Sequence, residues 1–373
     1  MPKRFIDPIW FVLGCLVLLI WQLSVPAYAL AQTQSAPGPK GIMDRSSAVE
    51  AASAQSDLTS KKVLILHSFA FAQPVYKIID EALIKSFVAG GLNFNNLYFE
   101  FLDLARNPGQ NYRNELISIF RQKYQERKFD LVVALHQQSL EFLVKEGQSF
   151  YPEGPIICIL GDPVPDIQHS DPKRPLIYLP FSIDIISTVK AIFTLQPDTR
   201  KIVVIAGSAP VDRRFLDLVQ AALKGWKGNL DVEFIPPLPL DEILKKVAQL
   251  PTKTAILYTN VAADSTGKTY IPRDVALMIS RSANAPVFGL YETLLGDNGI
   301  VGGIILNHRL EGERAVRSAM EILRGQLPSK PLTILPAPLV PMFDWVQLKR
   351  WGMNEAVLPA DAMILNKPVS AWE

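Results

Sequence analysis

The sequence predicts an α/β protein of two Rossmann-like lobes with parallel sheets. Three observations carry that expectation. Between Lys61 and Gly325 short apolar runs alternate with amphipathic helical stretches, the pattern of doubly wound parallel sheets. The chain has 373 residues, material for two packed domains, and 49% of them are apolar, ample for real cores. A segment dense in Pro and Asp, Gly161 to Pro175, then breaks the rhythm where a chain could leave one lobe for another.

Order begins at Val63-Leu64-Ile65-Leu66, a run short and branched enough for a buried parallel strand. The following helix puts Val75, Ile78, Ile79, Ala82, Leu83 and Phe87 on one stripe and stops at Gly90-Gly91. Leu97 to Leu102 is the second strand, and Leu116, Ile117, Phe120 and Tyr124 mark the next helix. Strands Leu131 to Leu135 and Ile156 to Leu160 follow, with a helix from about Gln138 to Glu146 between them. Past the break, strand Ile202 to Ala206 leads to a helix with Phe215, Val219, Ala222, Leu223 and Trp226 on one face. Strand Val232 to Ile235 precedes a helix N-capped near Asp241 and ending before Pro251. Strand Ala255 to Thr259 feeds a helix whose first turn holds Pro272. Pro286 to Gly289 and Ile300 to Leu306 are the last strands, and a helix carrying Ala315, Val316, Ala319, Met320 and Leu323 closes the series.

The N-terminus reads as an export signal. Lys3 and Arg4 precede an apolar run from Ile9 to Trp21, and the small-residue sites Ala27-Tyr28-Ala29 and Ala29-Leu30-Ala31 follow. Cleavage is expected after Ala29 or Ala31. The run is slightly short of the roughly 20 residues of a spanning helix, and an uncleaved anchor is the competing reading. Cys15 sits in a loose lipoprotein box, but the apolar run continues past it and Asp7 interrupts what precedes, so no lipid is expected. Without the signal the chain keeps Cys158 alone, which makes no intramolecular disulfide and no zinc site and reads as an inert core thiol. The resulting plan is a signal or anchor over 1–31, a disordered linker over 32–60, a first lobe over 61–175 completed at about 300–340, a second lobe over 176–299, and a C-terminal extension over 341–373.

Net charge is +2, with no arginine- or lysine-rich run, so the electrostatic footprint of a nucleic-acid binder is missing. Ala262 to Thr269 ends like a phosphate-binding loop, in Gly267-Lys268-Thr269. It has Ala262 where that loop needs a glycine, which would put a Cβ against the phosphates. His67-Ser68 cannot be a base and nucleophile acting on each other, because adjacent residues of an extended chain point apart. No G-x-S-x-G elbow occurs. With four histidines and no H-x-x-x-H spacing, no metal or cofactor is expected. His67 and His136 end neighbouring strand candidates and are expected to contact ligand rather than to catalyse. Polar and aromatic residues gather at the strand ends, and doubly wound sheets bind ligands there.

Lys62-Val63-Leu64-Ile65-Leu66-His67-Ser68-Phe69 resembles the opening of the type I periplasmic binding-protein fold, and within it the ABC transporter substrate-binding group. Many members of that group are extracytoplasmic sensor regions of bacterial histidine kinases. The likeness is more specific over Gly267 to Asp274, Ala283 to Glu292 and Gly299 to Gly303. Phe343-Asp344-Trp345-Val346-Gln347-Leu348-Lys349-Arg350-Trp351-Gly352 and Leu358-Pro359 resemble the tail such sensors carry before a membrane helix. The chain stops at Trp372-Glu373, so it is expected to be either a sensor region of a longer protein or a free-standing binding protein.

The resemblance implies two lobes closing on a small solute, with no chemistry performed and with a permease or a sensor kinase as the partner. The expected contacts are Ser68, Phe69, His136 and Gln137 from the first lobe, facing Ser208, Asn260 and Tyr291. An exported hydrolase is the alternative of a different class. It needs a nucleophile and base in the crevice, and no convincing pair stands out.

Overall fold

The computed structural model describes residues 58–162, 174–226, 230–297 and 299–368. The expected export signal, most of the expected linker and residues 163–173 of the Pro/Asp-dense break lie outside the described residues.

Two sheets organise the chain. The first contains β1 (Val63–His67), β2 (Leu97–Phe101), β3 (Leu131–Leu135), β4 (Ile156–Gly161), β5 (Leu176–Pro180) and β11 (Leu332–Ile334). Their order is β11-β5-β4-β3-β1-β2, and every pairing is parallel. The second contains β6 (Lys201–Ile205), β7 (Asp231–Ile235), β8 (Thr254–Tyr258), β9 (Val287–Phe288), β10 (Gly302–Leu306), β12 (Leu339–Asp344) and β13 (Met363–Leu365). Its order is β13-β12-β10-β9-β8-β6-β7, parallel except where β12 runs antiparallel to β10. Strands β1, β3, β4 and β8 are buried at every position, which is why they read as unbroken apolar runs rather than alternating ones.

Helices join the strands. They are α1 (Pro74–Ala89), α2 (Gln110–Tyr124), α3 (Gln137–Lys145), α4 (Ile185–Leu195), α5 (Pro210–Leu223), α6 (Leu240–Val247), α7 (Pro272–Ser282), α8 (His308–Leu323) and α9 (Trp345–Arg350). Tyr76, Ile79, Ala82, Leu83 and Phe87 make the buried stripe of α1. That stripe meets α8 closely, because a Cβ on Gly312 would stand 2.9 Å from the Ala82 Cβ and 3.2 Å from the Ile79 carbonyl. So α8, which starts at the end of β10 in the second sheet, packs back onto the first half. The chain crosses between halves at three places: after β5, at Asn307 between β10 and α8, and between β11 and β12.

The boundaries differ from those expected in four respects. The break does not take the chain out of the first lobe. Leu176–Pro180 returns to pair with β4, Ile156 opposite Leu176 and Cys158 opposite Tyr178, and the crossing comes only after Pro180. This strand and α4, whose N-cap Asp184 accepts from the Ser187 amide, had no sequence prediction; prolines at 175 and 180 frame the strand and mask its apolar run. Of the 300–340 stretch, β10 belongs to the second sheet, and only α8 and β11 join the first half. The 341–373 segment is not an appendage through Pro368: β12 and β13 extend the second sheet, and Met342, Phe343 and Leu348 are buried in the core. Finally, α6 is capped at Pro239, leaving Asp241 in its first turn, where a carboxylate still favours the positive end of the helix dipole. Cys158 is buried in β4, and burial pushes its thiol well above the ordinary range, as suits a packing residue.

Candidate functional site

The carboxyl ends of both sheets open on one cavity of about 810 Å³. From the first half come Phe69 after β1, Val75 at the start of α1, His136 and Gln137 at the β3–α3 junction, Asp162 after β4 and Phe181 after β5. The second half contributes Arg214 and Phe215 from α5, Asn260 after β8, Tyr270 and Arg273 flanking the start of α7, and Tyr291 and Thr293 after β9. His308, the first residue of α8, completes the wall at a crossing between halves.

Five of the seven expected contact residues therefore meet: Phe69, His136, Gln137, Asn260 and Tyr291 line this cavity. Ser68 and Ser208 do not. The Ser68 hydroxyl is fully buried, donates to the Leu135 carbonyl at 2.7 Å and accepts from the Ser139 amide at 2.9 Å, so it ties β1 to the first turn of α3. Ser208 turns its hydroxyl to the Asp264 carbonyl at 2.5 Å and serves the loop beside β8. Both hydroxyls are committed to backbone and neither pairs with a histidine.

His67 and His136 do approach each other, with Tyr76 between them. His67 is sealed away from the cavity, its Nε2 2.8 Å from the Asp80 carboxylate and its ring stacked 4.3 Å from Phe101. His136 faces the cavity. Its Nδ1 lies 3.3 Å from the Tyr76 hydroxyl, and its ring lies 4.7 Å from Phe69. The His136 backbone is unusual: φ 70° and ψ 160°, a region that β-carbon sterics all but reserve for glycine and that costs about 1–3 kcal/mol otherwise. Enclosure by protein, with His308 and then His67 nearby, pushes its imidazolium down to about 3, so the ring is neutral near pH 7. Among the described residues no cluster of His, Cys, Asp or Glu could hold a metal ion.

Next to it, Gln137 is held by two partners. Its Oε1 lies 2.9 Å from the Tyr178 hydroxyl and its Nε2 3.2 Å from Glu141. Tyr178 reaches that position only because residue 161 is glycine; a Cβ there would lie 2.2 Å from the phenol ring. On the facing wall Tyr291 donates to Asn260 Oδ1 at 2.7 Å, and Asn260 Nδ2 donates to Asp212. Asp212 is fully buried and also accepts from the amides of Ala209, Ala262 and Ala263. Burial raises the Tyr291 phenol far above neutrality, which keeps it a neutral hydroxyl. Glu311 is likewise buried and shifted upward, with His308 Nδ1 2.9 Å from its carboxyl. At the rim, Asp162 and Arg214 pair across the two halves at 3.0 Å, both about half exposed.

The Gly267-Lys268-Thr269 stretch is not a phosphate cradle. The Lys268 amide and the flanking donors point inward to Asp264, whose carboxylate accepts from the Thr266 amide and hydroxyl, the Lys268 amide and the Tyr270 hydroxyl. Those bonds hold Asp264 down at about 2, led by the Thr266 hydroxyl. His308 escaped the sequence reading although it follows the β10 end, where the strand-end rule applied elsewhere would have found it. Arg214 and Phe215 come from within a helix and carry no such signal.

No family model and no curated protein matches the sequence. Solved structures do. The ligand-free, open structure of CD0873, a substrate-binding protein with adhesive properties from Clostridium difficile, is 15% identical with a TM-score of 0.57, over 83% of this chain and 100% of that one. An ABC domain from Streptococcus pneumonia in complex with L-Trp is 15% identical with a TM-score of 0.53, over 82% and 99%. A conserved domain protein from Vibrio cholerae is 17% identical with a TM-score of 0.52, over 82% and 99%. The two mostly parallel sheets and their threefold crossing are the type I periplasmic binding-protein fold.

Proposed function

We propose that this chain is an extracytoplasmic small-solute-binding protein whose ligand sits between the two halves and favours their closure. The observation that carries the reading is the cavity itself. It lies where both sheets present their strand ends, and it mixes aromatic walls with a few fixed polar groups. A ligand touching both walls would shift the population toward the closed form by its differential affinity. Phe69, Phe181, Phe215 and Tyr291 suit a solute with a ring, in keeping with the neighbour that holds L-Trp.

Binding rather than turnover is favoured because Ser68 and Ser208, the two serines expected at the crevice, have their hydroxyls bonded to backbone. Transport through a permease and sensing through a histidine kinase would both read the same closure; the sequence likeness of the 343–352 segment to sensor tails supports the second. Export fits the N-terminal signal, and among the described residues no helix is long and apolar enough to cross a membrane. Small-angle scattering of the purified protein against a broad solute panel tests the proposal. Compaction with at least one solute is expected, and a panel with neither compaction nor binding would refute it. Turnover of ester or phosphate substrates that vanished in His136→Ala would replace it with the hydrolase reading.

A further inference from the structure

We infer that His136 is the specificity-determining donor of this cavity, locked by Tyr76 as the Nε2–H tautomer, and that it reads a carbonyl-type acceptor on an uncharged ring. The inference rests on the solute-binding reading and names the class of solute.

The tautomer follows from counting protons. The Tyr76 hydroxyl is buried, and its oxygen already accepts from the Phe69 amide at 3.0 Å. Its own proton therefore needs an acceptor, and His136 Nδ1 is the group within reach. A histidine that accepts at Nδ1 and stays neutral carries its proton on Nε2. That nitrogen takes no protein partner among the described residues and is not among the buried atoms left without one, so it opens on the cavity that His136 lines. Tyr76 is thus a positioning residue. The strained backbone at His136 is the second sign that this ring is held in place for a purpose other than stability.

The surroundings select against charge at that end of the ligand. The polar groups beside His136 and across from it offer no free charge: Gln137, Asn260 and Tyr291 are neutral, and His308 is already paired with Glu311. Asp212, the buried carboxylate behind Asn260, is spent on Asn260 and three amides. Arg214 and Arg273 are already paired, with Asp162 and Asp274. A carboxylate or ammonium group brought against His136 would lose water without gaining a free counter-charge, which is costly in an enclosed site. An uncharged amide or carbonyl loses little and receives the Nε2–H bond.

Three probes of one shape separate these cases: benzamide, benzoate and benzamidinium. Histidine 15N spectra of the full chain, recorded with and without each probe, read both the tautomer and binding. The wild type is expected to show His136 as Nε2–H between pH 8 and 5, with benzamide perturbing that signal and binding at least about tenfold tighter than either charged probe. Tyr76→Phe keeps the ring and removes the hydroxyl. It should turn His136 into a tautomer mixture and weaken benzamide about tenfold with the circular dichroism spectrum unchanged. An Nδ1–H tautomer in the wild type, or a charged probe binding as well as benzamide, would overturn the assignment. So would benzamide affinity indifferent to Tyr76→Phe. If none of the three binds while other solutes in the broad panel do, this inference falls and the solute-binding reading stands. If nothing in that panel binds, it is the solute-binding reading that falls.

Discussion

The backbone at His136 makes a prediction whose sign is opposite to the usual one. At most positions glycine is less stable than alanine by about 0.5–1 kcal/mol, because its unfolded chain has more freedom to lose. His136 sits at φ 70° and ψ 160°, where any β-carbon is strained by about 1–3 kcal/mol. His136→Ala and His136→Gly both lose the Phe69 ring contact and the Tyr76 bond, so those losses cancel when the two variants are compared. What remains is the strain that glycine alone relieves, less about 0.4–1 kcal/mol of extra unfolded-state entropy. His136→Gly should therefore be the more stable of the two, by about 1 kcal/mol at mid-range and at most about 2.6. Urea unfolding at pH 7 measures this directly, as a later midpoint for the glycine variant at equal slope. An alanine variant more stable than the glycine one by about 0.4–1 kcal/mol would show that the strain is not there, and with it would go the argument that this residue is kept against stability.

Other perturbations test the remaining parts. Ser68→Ala should cost about 1–3 kcal/mol in urea unfolding, because it leaves the buried Ser139 amide without a partner, while solute binding stays unchanged. Asp212→Ala removes the acceptor shared by Asn260 and three amides; a loss above about 3 kcal/mol is expected, together with weakened solute binding. His136 titrates at about 3 in the folded chain, below its ordinary 6.5, so its contribution to stability is complete above pH 6.5 and is lost as pH falls toward 3. The slope is at most about 1.4 kcal/mol per pH unit, and a matched pH series on His136→Gln should lack that component. Asp162→Ala opens a half-exposed ion pair and should change stability by less than about 1 kcal/mol, with any effect on closure fading in high salt.

The alternation of strands and helices was legible because it is local. Side-chain periodicity is written residue by residue, and a parallel strand buried on both faces, such as β1 or β3, has to be apolar throughout. The same logic made Phe69, His136, Gln137, Asn260 and Tyr291 legible as a group, since strand ends of a doubly wound sheet share one crevice. Membership of a half was not local. Leu176–Pro180 joins the first sheet, β12 and β13 the second, and α8 packs back on α1 by contacts made across long stretches of sequence. Side-chain direction was not local either: Ser68 and Ser208 stand at the right strand ends and point into backbone. Nor could charge state be read from residue type, because the neutrality of His136 depends on enclosure and on histidines 69 and 172 residues away in the chain. Sequence alone thus determined the elements and the edge on which a ligand would sit; the tertiary structure decided which side chains face it and with which protons, since those depend on neighbours that only folding assembles.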